Sequence, residues 1–284
     1  MPGRHHPLID GALVQVLRRD RFIVLAALAA LTLLAWADLL WLAGPMAMAP
    51  APVSSGMEDM PGMDMSAMGD ALAPAFRPWG LLDFAVMFAM WAVMMTGMMT
   101  PSVAPMILLY AGFGRKAAAG GKPFAPAGWF FAGYLAVWVG FGALATAAQW
   151  ALTSLALLTP AMVSASAAMG GGLLIAAGLY QWTPLKDRCL RACQVPLAFL
   201  MAHGGFRPER SGAFALGARH GAYCLGCCFA LMTLLFVGGV MNTLWIAGLT
   251  ILVLLEKTVP AGRLIPRMSG VAMIAAGLWL VFRA

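Results

Sequence analysis

Residues 81–111 read LLDFAVMFAMWAVMMTGMMTPSVAPMILLYA, and Asp83 is the only charged side chain among them. A helix needs about 20 apolar residues to cross roughly 30 Å of hydrocarbon, so this stretch is long and apolar enough to be a membrane span. Working outward from it, six further apolar stretches lie at 22–44, 128–153, 161–182, 220–240, 243–256 and 268–282, the last two being short. The chain is 62% hydrophobic and 10% charged, where a soluble domain has roughly 45–50% and about 25%. A soluble globule is therefore excluded. The expectation is an all-α, polytopic membrane helix bundle of about seven transmembrane helices.

Charge sets the expected orientation. With the N-terminus inside, 16 of the 18 Lys and Arg residues fall on the cytoplasmic side, and only Arg77 and Arg283 fall outside. That is the positive-inside bias, and it predicts N-in and C-out. The net charge of +7 is then matched by anionic lipid of the bilayer and calls for no nucleic acid. Residues 22–44 are long for a signal-peptide core and carry Trp36, Asp38 and Trp41, which predicts a retained anchor. Three parts follow: a cytoplasmic N-terminus and first anchor at 1–44, a flexible Met-rich periplasmic loop at 45–80, and a six-helix metal-binding membrane domain at 81–284. The stretch 183–219 is the expected place for a short interfacial helix.

Sulfur is the unusual element, with 22 Met and 5 Cys. In the loop, residues 57–68 read MEDMPGMDMSAM and supply Met57, Met60, Met63, Met65 and Met68. A thioether has no proton to lose and survives oxidation that consumes thiols, so such a segment suits Cu(I) outside the cell. In the second span, Met87, Met90, Met94 and Met98 form one stripe at about 100° per residue, and Met95, Met99 and Met106 form a second beside it. The MxxxM repeat stacks sulfurs about 6 Å apart along the axis. Pro101 and Pro105 are expected to kink the helix beyond them.

Residues 220–228 read HGAYCLGCC, which on a helix puts His220, Cys224, Cys227 and Cys228 within an arc of about 100°. The spacing predicts a metal site at the cytoplasmic end of the fifth span. Cys189 and Cys193 repeat the i,i+4 spacing in CLRAC and are expected to close that site from below, with Arg188, Arg191 and Arg219 as basic neighbours of the thiols. Thiolates select Cu(I), or another soft or borderline metal such as Zn(II). Glu256 beside Lys257 is read as an interfacial ion pair, and Asn242 as a helix cap.

Three strings, AMWAVMMTGMMTPSVAPM at 89–106, GLYQWTPLKDRCLRAC at 178–193 and the run from HGAYCLGCC to LLEK at 220–257, resemble a bacterial family of predicted metal-binding integral membrane proteins. The likeness spans 81–283, and its CLGCC and PLK..CL..C motifs are specific. It implies an inner-membrane protein with a metal site on Cys189, Cys193, His220, Cys224, Cys227 and Cys228. The Met loop is similar to Met-rich segments of copper carriers in composition alone, and the MxxxM spacing is similar to that of eukaryotic copper transporters. The expected function is Cu(I) handling: inward movement, or hand-off to a copper enzyme or soluble copper chaperone. The chain carries no nucleotide-hydrolysing motif, and the expectation is that it is not an enzyme. The rival readings are a membrane thiol–disulfide oxidoreductase and a structural assembly subunit.

Overall fold

The computed structural model describes residues 22, 24–40, 79–121, 123–159, 162–259 and 262–283. The expected N-terminal region before 22 and most of the Met loop, including Met57, Met60, Met63, Met65 and Met68, lie outside the described residues. Within them the chain is helical: α1 (Val24–Leu40), α2 (Leu81–Ala119), α3 (Ala127–Ser154), α4 (Ala167–Tyr180), α5 (Pro184–Gln194), α6 (Pro196–Ala202), α7 (Arg210–Thr233), α8 (Leu235–Gly238), α9 (Thr243–Thr258) and α10 (Leu264–Arg283). Among the described residues there is no strand, and the one isolated bridge pairs Leu158 with Ser164.

The all-helical class holds, but the count of seven spans is corrected. Among the described residues four helical segments are long and apolar enough to cross a membrane: Leu81–Ala119, Ala127–Ser154, Arg210–Gly238 and Leu264–Arg283. The stretches read as spans four and six are helical for 14 and 16 residues, while the first is described only over 24–40. At ~1.5 Å per residue spans four and six rise about 21 and 24 Å, short of a full hydrocarbon thickness. Apolar composition marks a helix as buried in lipid or in protein without saying how far the helix runs, and here the caps decide. Ser166 accepts from the Met169 N–H at 3.1 Å and so starts α4 five residues after the apolar run begins at 161. Asn242 caps α9 by accepting from the Trp245 N–H at 3.2 Å, as its sequence position predicts.

Two more boundaries differ from expectation. α2 continues through Pro101 and Pro105 to Ala119, because the isolated loss of two N–H donors leaves the remaining ladder intact. α7 begins at Arg210, ten residues before 220, since the small residues of SGAFALGAR extend the helix without an apolar run to announce it. In the 183–219 stretch the predicted short helix forms as α5. Thr183 accepts from the Lys186 N–H at 3.3 Å and Pro184 takes the first turn.

Glycine sets the closest helix pairs. Gly217 and Gly221, four apart on α7, face α3: a Cβ at Gly221 would lie 3.1 Å from the Tyr134 carbonyl oxygen, and one at Gly217 would overlap the Phe130 carbonyl. α4 and α10 meet in the same way, with a Cβ at Gly171 lying 2.7 Å from the Gly277 carbonyl and one at Gly270 lying 2.9 Å from the Gly178 carbonyl. α2 and α3 run antiparallel, so the N-terminal end of α2 at Asp83 meets the C-terminal end of α3 at Thr153.

Candidate metal centre

Tight α3–α7 packing brings the side chains of both helices into one dry layer. His220 is 3% exposed and Cys224, Cys227 and Cys228 are 2%, 1% and 1% exposed. They sit in the middle of α7 rather than at its end, because the helix starts earlier than its apolar run. At their centre is the Cys224 sulfur. The Tyr134 hydroxyl of α3 lies 3.1 Å from it and bonds the Met99 carbonyl of α2 at 3.2 Å. Lys257, at the end of α9, donates to the same sulfur at 2.9 Å and to Ser102 Oγ on α2 at 3.2 Å.

The other thiols surround this point. Cys227 and Cys228 donate to the Cys224 carbonyl at 3.0 and 2.9 Å. α5 folds back against α7, and Cys193 lies near the Cys224 and Cys227 sulfurs. Those two neighbouring thiols and burial hold the Cys193 thiol well above its usual range. Cys189 is farther round the same helix, against the backbone at Gly226, where a Cβ would come within 2.7 Å of its sulfur; burial pushes its thiol up. The two halves of the CLRAC pair therefore differ: Cys193 joins the cluster and Cys189 borders it.

Among the described residues no three of His, Cys, Asp and Glu are gathered as a ready coordination sphere. The thiols spend their hydrogen bonds on one another and on a backbone carbonyl, so ligation would need them to turn about χ1 with the helices in place. His220 has spare capacity. Its Nδ1 is buried without a partner, and its ring lies among Phe130, Tyr134 and Phe199 at centroid separations of 5.9, 6.0 and 4.9 Å. An orphaned buried nitrogen one turn from Cys224 on the same helix is chemically suited to a soft metal.

The methionine face of α2 lies inside the protein. Met90, Met94, Met95, Met98, Met99 and Met106 are at most 4% exposed, and Met87 is half-buried at the helix's Asp83 end. Burial by itself is what an apolar side chain does. What the sequence reading missed is the join: the stripe ends where Tyr134 and Lys257 tie Met99 and Ser102 to Cys224. The methionine helix and the thiol cluster are thus linked through the Tyr134 hydroxyl and the Lys257 ammonium, by way of the Met99 backbone carbonyl and Ser102.

Two electrostatic expectations are corrected. Arg188, Arg191 and Arg219 are exposed, since each neighbours a buried residue in sequence and so projects about 100° away from it. The cation at the thiols is Lys257. For the same reason Glu256 and Lys257 do not pair with each other. Glu256 takes Lys186 of α5 at 2.7 Å, with both side chains almost wholly buried, and accepts from Gln181 Nε2 at 2.8 Å. No local pattern in the sequence joins residues 70 and 33 positions apart.

A family model described as PpoB2, copper chaperone, matches residues 88–280. The chain belongs to that copper chaperone family. The match takes in the buried methionines, α5 and the whole thiol cluster, whereas the Met loop and Met87 precede it. Family membership replaces the broader expectation of an unspecified metal with a copper-related role. No curated protein and no solved structure was found to match the chain.

Proposed function

We propose that this member of the copper chaperone family binds Cu(I) in the bacterial inner membrane and moves it inward or hands it on for loading a copper enzyme. The observation that carries the reading is the junction at Cys224, where Tyr134 links the backbone of the buried methionine stripe to a cluster of three buried thiols and the half-buried Cys193, on the same helix as an unpartnered imidazole. Soft ligands of both kinds select Cu(I) over harder cations, and Zn(II) is the nearest competitor at the thiols. The Met column of Met87, Met90, Met94, Met95, Met98 and Met99 passes the ion, and His220, Cys193, Cys224, Cys227 and Cys228 receive it, with Cys189 at the margin. Met57, Met60, Met63, Met65 and Met68 collect copper outside. The work is binding and transfer, not catalysis.

The orientation puts the Asp83 end of α2 in the periplasm. In support, basic connections gather at the opposite end: the Ala125 N–H bonds the Arg207 carbonyl at 3.4 Å, and Phe113 stacks on Phe206 at 4.7 Å. Partners in this reading are the copper ion, the lipid bilayer, and a copper enzyme or soluble copper chaperone.

One observation favours a second reading: Cys193 from α5 touches Cys224 and Cys227 from α7, an inter-helix arrangement that a thiol–disulfide oxidoreductase would use. One experiment separates the two. Copper per chain is measured on protein purified under reducing conditions, and a mild oxidant is then titrated in. Copper held until the thiols oxidise supports the chaperone; copper-free protein with a reversible Cys193 disulfide supports the oxidoreductase.

A further inference from the structure

At the Asp83 end of α2, away from the thiols, a cavity of about 270 Å³ opens to the surface between α2, α3 and the connection leading to α4. Two thioethers from separate parts of the chain converge in it. Gln149 of α3, itself 1% exposed, directs its Nε2 at Met162 Sδ at 3.2 Å and at Met87 Sδ at 3.7 Å. The amide cannot be turned the other way, because Trp91 Nε1 donates to its oxygen at 2.6 Å. Each thioether sulfur carries two lone pairs. Since the amide engages one on each, a second remains on each for whatever occupies the cavity.

Met162 holds its place against a conformational cost. Its φ is +58°, a left-handed backbone that a long L side chain seldom adopts. The surrounding segment enforces it: the Met162 N–H bonds the Thr159 carbonyl at 2.8 Å, Leu158 bridges Ser164, and the Ser164 N–H bonds the Phe236 carbonyl at 2.8 Å. A thioether is a weak acceptor, so satisfying a buried amide with two of them is a poor reason to hold such a turn. One turn before Met87 on α2, Asp83 also lines the cavity. One of its oxygens accepts from the Gly80 N–H at 2.8 Å, which leaves the other for a cation.

We propose that Met87, Met162 and Asp83 form a second metal site, a loading station for a soft monovalent cation at the mouth of the methionine column. The copper identity of its natural ligand rests on the function proposed above; the site itself rests on the cavity. Two neutral sulfurs and one carboxylate balance a single positive charge, and the set lacks thiols that an oxidising compartment would consume. Met90 comes next along α2 towards the interior, so an ion released here enters the buried stripe that ends at Cys224. Residues 45–78, with their methionines, lead directly in sequence into Trp79, which lines the same cavity.

The test uses the full chain in detergent with methionine methyl groups labelled with carbon-13, titrated with silver(I) as a redox-inert stand-in. Met87→Leu and Met162→Leu assign the two signals and change the packed volume little. Once the thiols have filled, the Met87 and Met162 methyl signals are expected to move together, and Met162→Leu to weaken the Met87 response by about tenfold with silver at the thiols unchanged. Silver bound at the thiols with both methyl signals unmoved overturns the pocket site and leaves the proposed function intact. Silver that moves both methyls but misses the thiols upholds the pocket and sinks the thiol reading.

Discussion

The two sulfur regions differ in ligand, enclosure and neighbours. At Cys224 the candidate ligands are thiols, every one of them on a helix, sealed by the glycine-mediated contact of α7 with α3 and set against a lysine ammonium. At Met87 and Met162 the ligands are thioethers, one on a helix and one on a turn, around a cavity open to the surface and beside a carboxylate. The closed region suits tight holding and the open one quick exchange, because a charged thiolate binds Cu(I) far more strongly than a neutral thioether does. The buried stripe of α2 connects them. The methionine helix α2 thus runs from the open thioether pocket at one end to the neighbourhood of the thiols of α7 near its middle.

The first way to break this contrast is Cys224→Ser. It removes the sulfur on which Tyr134, Lys257 and Cys193 converge, so purified protein should lose most of its copper by atomic absorption. Cys228→Ser should act in the same direction and Cys189→Ser least, because Cys189 only borders the cluster. Equal losses at all five cysteines would deny Cys224 its central place.

Glu256→Gln tests whether stability resides apart from the sulfur. It leaves the buried Lys186 ammonium without its carboxylate, a loss of about 3–5 kcal/mol. Thermal unfolding in detergent should show a large drop in Tm, while copper per folded chain stays as in the parent. If copper falls in proportion to Tm, the polar network and the sulfur region are not separate.

Met94→Leu combined with Met98→Leu interrupts the stripe at nearly constant volume, at a stability cost below about 1.5 kcal/mol. Copper arriving at the thiols from the Asp83 side should slow by about tenfold, the scale of one lost transfer step, with the final amount bound unchanged. Replacing Met57, Met60, Met63, Met65 and Met68 together by Leu should weaken acquisition at limiting copper and matter little at high copper, because redundant ligands substitute for one another. Smallest is Tyr134→Phe, which deletes one hydroxyl bridge between Met99 and Cys224 and should lower stability by about 1 kcal/mol.

What the sequence made legible was local. Helical periodicity placed His220, Cys224, Cys227 and Cys228 on one buried face, the Asn242 cap stood where its side chain predicts, and the stretch at 183–219 produced the short α5. Three things were not local. Span count failed because an apolar run does not reveal a cap such as Ser166 inside it. The start of α7 was hidden in the small, mixed residues of 211–219. The partners of Cys224 and Glu256 come from helices far along the chain, so the lysine that meets each was invisible, and the arginines that stood nearest in sequence faced outward. Met162 and Gln149 escaped notice because a turn residue and a lone buried amide carry no periodic signal.

The central claim is that copper is held by sulfur at the inner end of the α2 stripe. X-ray absorption at the copper edge, on reduced full-length protein loaded with one copper per chain, tests it most directly. A first shell dominated by sulfur that collapses in Cys224→Ser and survives in Cys189→Ser is the predicted result. A shell of nitrogen and oxygen, or a sulfur shell that Cys224→Ser leaves untouched, would contradict the account.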